Sequence, residues 1–321
     1  MRVFCFGDIH IGPSRYQFVR DQEEKLAEWV FSAVRDFGCK RVVFLGDCFK
    51  ERWHEGRDKD KVWCLFRDIA KVVDVVVIAG NHDYYDRKCD ESGLIVLKGL
   101  SGVCVVDDRV YVYESLDGRD VAYVPWRWTV RREERMRLAG DVVFGHFELA
   151  EAVNWKDENQ VTMDEFSYAR KVVSGHLHFR KEIGKVIYPG VPFQRSFADA
   201  SETGGVVVDL RTLEHIWVDG YGVKFVQVEK AEDFDRLDVQ KCYVQVKKRE
   251  LVEEAKRHGV FGLEYVPEGV MTYDEERLRS WEDDVARMDL WQLLEEYAKR
   301  VLKVGDRELE WLRDRCKERG V

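Results

Sequence analysis

Val172-Val173-Ser174-Gly175-His176-Leu177-His178 is the stretch on which the fold turns. Two β-branched residues mark a buried strand, and the Ser-Gly after them ends it. Side chains alternate in extended chain, so His176 and His178 project to one side just past the strand end. Imidazole is the commonest metal ligand, and two rings aimed at one point gain most by sharing an ion. Taken alone, the stretch reads equally well as two solvated loop histidines.

Four upstream segments have the same construction. Residues 2–6 read as a strand running into Gly7-Asp8-Ile9-His10, and residues 41–45 as one closed by Gly46-Asp47. Residues 75–78 lead into Gly80-Asn81-His82-Asp83, and residues 141–144 into Gly145-His146. Leu26, Trp29, Val30, Ala33 and Phe37 sit at helical spacing, predicting a helix over 21–37, and a second is expected over 58–73. Strand–helix–strand order implies parallel pairing. Each strand thus ends in glycine followed by a polar, metal-competent residue: Asp8, Asp47, Asn81, His146 or His176. Ligands of α/β sheets gather at the carboxyl ends of strands, where glycine lets the chain turn. Five of the eight histidines lie in these segments; His54, His215 and His258 do not and read as surface or core residues.

Beyond His178 the pattern changes to short strands near 183, 186–188, 205–210 and 215–218, with hairpin turns near 184–185 and 211–212. Residues 220–222 mark a boundary, and 223–266 read as strand, strand, helix and strand. Pro267-Glu268-Gly269 closes that addition. The remainder is helical in pattern: Leu290, Trp291, Leu294, Tyr297 and Val301 on one helix, Leu309 and Leu312 on a second. This hairpin either packs on its own domain or docks a partner helix. The division expected is a domain over 1–220, an α+β addition over 221–268 and a helical segment over 269–321.

At 45% hydrophobic residues, with no apolar run long enough for a membrane span or a signal segment, the chain is expected to be soluble and cytoplasmic. Its eight cysteines are scattered without a Cys-x-x-Cys pair, which argues against zinc clusters and a disulfide framework. They read mostly as small buried hydrophobes. The net charge of −9 repels nucleic acid at long range. A nucleic-acid role therefore needs a local basic patch, metal ions or a partner.

Asp8, His10, Asp47, Asn81, His146, His176 and His178 form a mixed oxygen and nitrogen donor set without thiolates. They exceed the needs of one ion but suit two that share a carboxylate, with Asp47 the natural bridge. Such donors suit Mn, Fe or Zn better than Ca or Mg. Two ions roughly 3.5–4 Å apart serve in-line phosphoryl displacement.

These motifs, in this order, resemble those of the calcineurin-like metallophosphoesterases over about the first two hundred residues. The resemblance implies an α/β (α+β) fold, a two-sheet sandwich flanked by helices, with a small capping domain and a C-terminal helical hairpin. It implies one divalent ion on Asp8, His10, Asp47 and His178, and a second on Asp47, Asn81, His146 and His176, with Mn2+ the expected metal. It makes His82 the residue that protonates or stabilises the leaving group, oriented by Asp83. Asp8-Ile9-His10-Ile11-Gly12, Pro125-Trp126, Gly145-His146-Phe147-Glu148-Leu149 and Tyr188-Pro189-Gly190-Val191-Pro192 are similar to segments of the SbcD and Mre-type DNA-repair nucleases, including those of T-even phages. That branch implies exonuclease and endonuclease action on DNA ends and hairpins in double-strand-break repair. It also implies a homodimer formed by helices around 58–72 and 89–100, and an SbcC-type coiled-coil ATPase gripped by Leu290, Trp291, Leu294, Tyr297, Val301, Leu309 and Leu312. Lys50 departs from the pattern: several members carry a His there, linked to exonuclease action, and His54 is out of register. Lys50, Arg52, Arg57, Tyr84, Arg127, Arg131 and Arg132 are the candidate DNA contacts, with Tyr84 and Tyr85 either stacking on bases or simply packing. The rivals are a phosphoesterase on a small nucleotide or a phosphoprotein, and a non-catalytic scaffold for DNA ends and an ATPase.

Overall fold

The computed structural model describes residues 1–86, 88–108, 112–130 and 140–266 of a chain that divides into two units, Met1–Pro267 and Glu268–Val321. Arg131, Arg132 and the expected ATPase contacts from Leu290 to Leu312 lie outside the described residues.

The first unit is built on two six-stranded sheets. Strands β1 (Arg2–Phe6), β2 (Arg41–Phe44), β3 (Asp74–Ile78) and β4 (Val103–Val106) pair in parallel in that order. Helices α1 (Gln17–Phe37) and α2 (Gly56–Ala70) cross between the first three. α1 begins a turn earlier than its apolar stripe predicts, because Val19 and Gln22 are also buried, and it ends at Gly38 in the left-handed conformation, φ 64°. α2 stops at Ala70, a turn before the expected end.

The second sheet takes β5 (Val112–Leu116), β6 (Arg119–Val124), β7 (Val142–His146), β8 (Lys171–Gly175), β9 (Arg180–Ile183) and β10 (Val186–Pro189), in the order β5-β6-β7-β8-β10-β9. Its central strands are parallel and β9–β10 is a hairpin. The next hairpin, β11 (Gly204–Asp209) with β12 (His215–Asp219), returns to the first sheet, where β11 lies antiparallel to β1. The five glycine-ended strands therefore belong to two sheets: β1, β2 and β3 to one, β7 and β8 to the other.

The period-two alternation explains the layering. In the first sheet Val3, Cys5, Val43, Leu45, Val76 and Ile78 point inward and meet Tyr123, Val142, Phe144, Val173 and Ile187 of the second. The alternate residues Phe4, Phe6, Val42, Phe44, Val75 and Val77 pack outward against Leu26, Val30, Val62 and Phe66 of the two helices. The outer face of the second sheet is covered by Trp128, Phe147 and Phe166. Each such fully buried side chain contributes roughly 1.5–3 kcal/mol relative to exposure. Most of the described cysteines are buried, as expected; Cys64, on the solvent side of α2, and Cys104, on the edge strand β4, are exposed.

A third, all-parallel sheet, β13 (Lys224–Val228), β14 (Cys242–Val246) and β15 (Gly262–Tyr265), carries the helix Glu250–His258 and its own core of Val228, Phe234, Val244, Val246, Leu251 and Ala255. It meets the start of α1 through a cluster of Tyr16, Phe18, Phe225 and Tyr243 rings. Among the described residues no helix is long and apolar enough to cross a membrane.

Candidate metal centre

The carboxyl ends of both sheets meet at one edge, and hydrogen bonds lock them together. The amide of Asp8 donates to Gly46 O (2.8 Å), that of His10 to Asp47 O (3.1 Å), and that of His176 to the Asp8 carboxylate (3.0 Å). Asp8, His10, Asp47 and His176 all adopt left-handed backbone, with φ of 55°, 45°, 57° and 89°. Asp and His tolerate that region better than most residues, but each such position still costs about 1–3 kcal/mol and persists only where the surroundings impose it.

Close packing explains the glycines. A Cβ on Gly46 (φ 100°) would lie 2.4 Å from His146 Nδ1, one on Gly80 2.2 Å from Asp47 Oδ1, and one on Gly175 2.8 Å from Asp8 Oδ2. At Gly46 and Gly80 the nearest atom in that space belongs to a polar side chain from another strand end, whereas at Gly175 the Leu45 carbonyl (2.5 Å) is nearer still than the Asp8 carboxylate.

Two overlapping groups result. His10 Nε2 and His178 Nε2 stand 3.0 Å apart, with Asp8 Oδ1 3.9 Å from the latter. On the other side Asn81 Oδ1 lies 3.0 Å from both His146 Nε2 and His176 Nδ1, which are 3.2 Å from each other. Asp47 Oδ2 is 3.6 Å from His10 Nε2 and 3.6 Å from His146 Nε2, so it faces both groups. The seven residues proposed as ligands are thus brought together.

The far side of each ring decides what these groups can hold. His10 Nδ1 meets Phe49 O (3.2 Å), His146 Nδ1 meets Leu45 O (2.7 Å), and His178 Nδ1 meets the Asp199 carboxylate (2.9 Å). Those oxygens only accept, so each Nδ1 carries the proton and each Nε2 turns a lone pair inward. Burial pushes the His146 imidazole down to about 4, which keeps it neutral at ordinary pH. Burial also opposes ionisation of Asp47, yet His146, His82 and the His82 amide hold its carboxyl below the usual range. Lone pairs and carboxylates converging at about 3–4 Å have no proton to share, and the arrangement fits divalent cations with nitrogen and oxygen donors. Asp8, His10 and His178, and Asp8, Asp47 and His146, are each spaced to hold one ion.

Residues 1–180, more than half of the chain, match the calcineurin-like phosphoesterase family. The chain belongs to that family. Among solved structures it is similar to an archaeal phosphodiesterase, at 13% identity and a TM-score of 0.37, over 68% of this chain and 99% of that one. No curated protein matches it.

In this phosphoesterase His82 borders the ligands: its ring is 5.0 Å from that of His10, and it shares a possible ion-holding group with His10 and Asp47. Lys50 O accepts from His82 Nδ1 (2.7 Å), and the His82 amide donates to Asp47 Oδ1 (2.9 Å). The expectation that Asp83 orients His82 is corrected. The Asp83 carboxylate accepts from the amides of Asp47, Cys48, Phe49 and Gly80 at 2.8–3.3 Å, so it ties two strand ends together behind the site. Burial and the charge of Asp47 push the Asp83 carboxyl up, against the amides of Gly80, Cys48 and Phe49.

Tyr84 is also corrected as a DNA contact: it is 1% exposed, with its hydroxyl donating to Asp107 O. Lys50 Nζ reaches Pro13 O (3.2 Å), Arg52 spans Tyr84 O and Asp86 O, and Arg127 donates to Cys89 O, so these three cations brace loops at the site's rim. Arg57 is exposed at the start of α2. His54 is buried, stacked on Phe49 at 3.9 Å, with Nε2 against His82 O (3.0 Å).

Sequence reading missed two residues. Asp199 holds His178, and that hydrogen bond brings its carboxyl below the usual range although burial opposes it. Glu148 Oε2 lies 3.7 Å from His176 Nε2, its carboxyl also lowered against burial by His176 and Gln160. Glu148 is two residues from His146 and was legible as a neighbour; nothing marks Asp199 in the sequence.

Proposed function

We propose that this phosphoesterase is a two-metal-dependent DNA nuclease, cutting phosphodiesters exonucleolytically and endonucleolytically as the nuclease subunit of an SbcC-type ATPase complex in double-strand-break repair. The observation that carries the phosphodiesterase chemistry is the inward convergence of imidazole lone pairs in two groups that share Asp47.

Asp8, His10, Asp47 and His178 would hold one ion, and Asp47, Asn81, His146 and His176 the other; the donor chemistry suits Mn, Fe or Zn, and Mn2+ is the ion proposed. When bound, such ions neutralise phosphate oxygens and make water a better nucleophile. The chain's own groups do the rest. Lys50 O keeps the Nδ1 proton of His82 in place, so His82 Nε2 is the atom that exchanges a proton with the leaving oxygen. Asp199 and Glu148 fix the rings of His178 and His176.

The choice of DNA rests on the sequence segments shared with the SbcD and Mre-type nucleases. A homodimer is supported by Val72 and Ile95, 62% and 63% exposed, in the two segments expected to pair. The second of these is a short 3-10 turn, Gly93–Leu97, not a regular helix. ATPase docking by the segment after 268 is proposed from its apolar pattern.

The test is manganese-dependent digestion of end-labelled duplex and hairpin DNA by the wild type and Asp8→Ala, with and without the ATPase. Loss of cleavage in the variant supports the reading. A wild type that hydrolyses nucleotides or a phosphoprotein but never DNA decides for the small-substrate rival, and no metal-dependent hydrolysis at all decides for a scaffold. Deleting residues 273–321 should abolish co-purification with the ATPase; retention would end the docking proposal.

A further inference from the structure

Four rings form a ladder that starts behind the metal centre and ends in solvent. Phe49, whose carbonyl accepts from His10, stacks on His54 with centroids 3.9 Å apart and planes at 21°. His54 lies 4.9 Å from Tyr85 at 40°, and Tyr85 6.2 Å from Trp53 at 39°. Exposure rises outward, from 1% at Phe49 and 9% at His54, through half-buried Tyr85, to 82% at Trp53. Lys59 Nζ sits 5.4 Å over the Tyr85 ring, and the Arg52 guanidinium 5.8 Å over the nearby Trp126 ring.

A tryptophan this exposed exposes apolar area unless something covers it, and an aromatic ladder open at one end offers its last face to another flat ring. The geometry points to a base-stacking subsite: Trp53, with Tyr85 beneath it, takes a base of an unpaired strand whose neighbouring phosphates are met by Lys59 and Arg52. This rests on the nuclease reading above and deepens it, by making an unpaired or frayed strand the substrate of the same site. Stacking also answers the charge problem. A chain of net charge −9 attracts DNA poorly at a distance, whereas stacking on a ring is short-ranged and independent of sequence. The ladder is rooted in the loop whose Lys50 carbonyl holds His82, so a stacked base would lie on the leaving-group side of the site.

The test is an anisotropy titration of full-length protein, without added divalent ion, against a labelled oligothymidylate and an abasic strand of equal length. Trp53→Ala should raise Kd for the base-bearing strand by about 5- to 150-fold, the usual loss per stacked base, and leave that for the abasic strand unmoved. Trp53→Phe should keep most of the affinity. Equal Kd for Trp53→Ala and wild type, or equal losses on both strands, overturns the subsite. A change in oligomeric state by light scattering, with strand affinity intact, assigns Trp53 to a protein interface instead and also overturns it. A wild type that hydrolyses bis(p-nitrophenyl) phosphate yet neither binds nor cuts DNA defeats the nuclease reading and the subsite together. DNA cut and bound alike by wild type and Trp53→Ala defeats the subsite alone.

Discussion

Replacing Gly80 by alanine tests whether the glycines at the strand ends exist to admit ligand side chains. The added Cβ would fall 2.2 Å from Asp47 Oδ1, 2.4 Å from Asp47 N and 2.8 Å from Asp47 Cγ. Ordinary contact begins at 3.4 Å, so the carboxylate must retreat by 3.4 − 2.2 = 1.2 Å. Rotation about χ1 relieves the oxygen but not the backbone nitrogen, which is pinned by its hydrogen bond to Asp83 Oδ2 (3.0 Å). Asp47 Oδ2 then leaves the point 3.6 Å from both His10 and His146. Misplacing a reacting group by about 1 Å costs on the order of 100-fold in rate. The overpacking itself costs about 1–3 kcal/mol, which for a unit of this size lowers Tm by roughly 2–10 °C. The assay is manganese-stimulated hydrolysis of bis(p-nitrophenyl) phosphate, read beside thermal unfolding of the same preparation. Gly56→Ala is the control: nothing lies within 4 Å of its added Cβ, at the first residue of α2, so it should be neutral or slightly stabilising. If Gly80→Ala remained folded and within about three-fold of wild-type activity, less than about 1 kcal/mol of barrier, the interlocking argument would be wrong.

His82→Asn should lower turnover by about 100- to 10,000-fold while calorimetry still finds both manganese sites filled; lost binding would make His82 a ligand. Asp199→Ala frees the ring of His178 and should weaken one manganese site by about 10- to 100-fold, with Asp199→Asn recovering part of it because its amide oxygen still accepts from Nδ1. Undiminished affinity in the alanine variant would show that His178 needs no such support. Burial holds His54 near pKa 4, against about 6.5 in the unfolded chain, so unfolding takes up a proton at intermediate pH. Its share of stability, on the order of 3 kcal/mol at most, is complete above about pH 6.5 and is lost as pH falls towards 4. His54→Phe should therefore narrow the gap in urea midpoint between pH 7 and pH 4.5, and an unchanged gap would refute the assignment.

The strand ends were legible because each combines a β-branched run with a glycine and a polar residue, and those signals are local. Which sheet each strand joins was not. Arg41–Phe44 and Val142–His146 are both apolar runs because both are buried on two faces, and only pairing across the chain separates them. The tyrosine pair shows the same limit at single-residue scale. Tyr84 is bridged to Ser92 and faces the core, while its neighbour Tyr85 turns outward onto the ladder. Period-two alternation says that the two differ, but not which one is inside. Asp199 escaped notice because its role comes from a loop folding back on His178, with no spacing to announce it.

His82 shows how a departure in sequence can leave a positioning task intact. The residue at 50 is Lys where several of the nucleases it resembles carry a histidine, yet the ring of His82 is held by the main-chain carbonyl of that residue, which any side chain supplies. His54, four positions on, supports His82 from behind through its carbonyl. Asp47 Oδ1 takes its amide, and that carboxylate also faces both ligand groups. The ring, carbonyl and amide of His82 are thus fixed by three separate segments. What Lys50 alters is confined to the side chain, which turns to Pro13 O at the rim. On the proposed nuclease reading, any effect of the departure should therefore appear at the rim of the site and not in proton exchange at His82 Nε2.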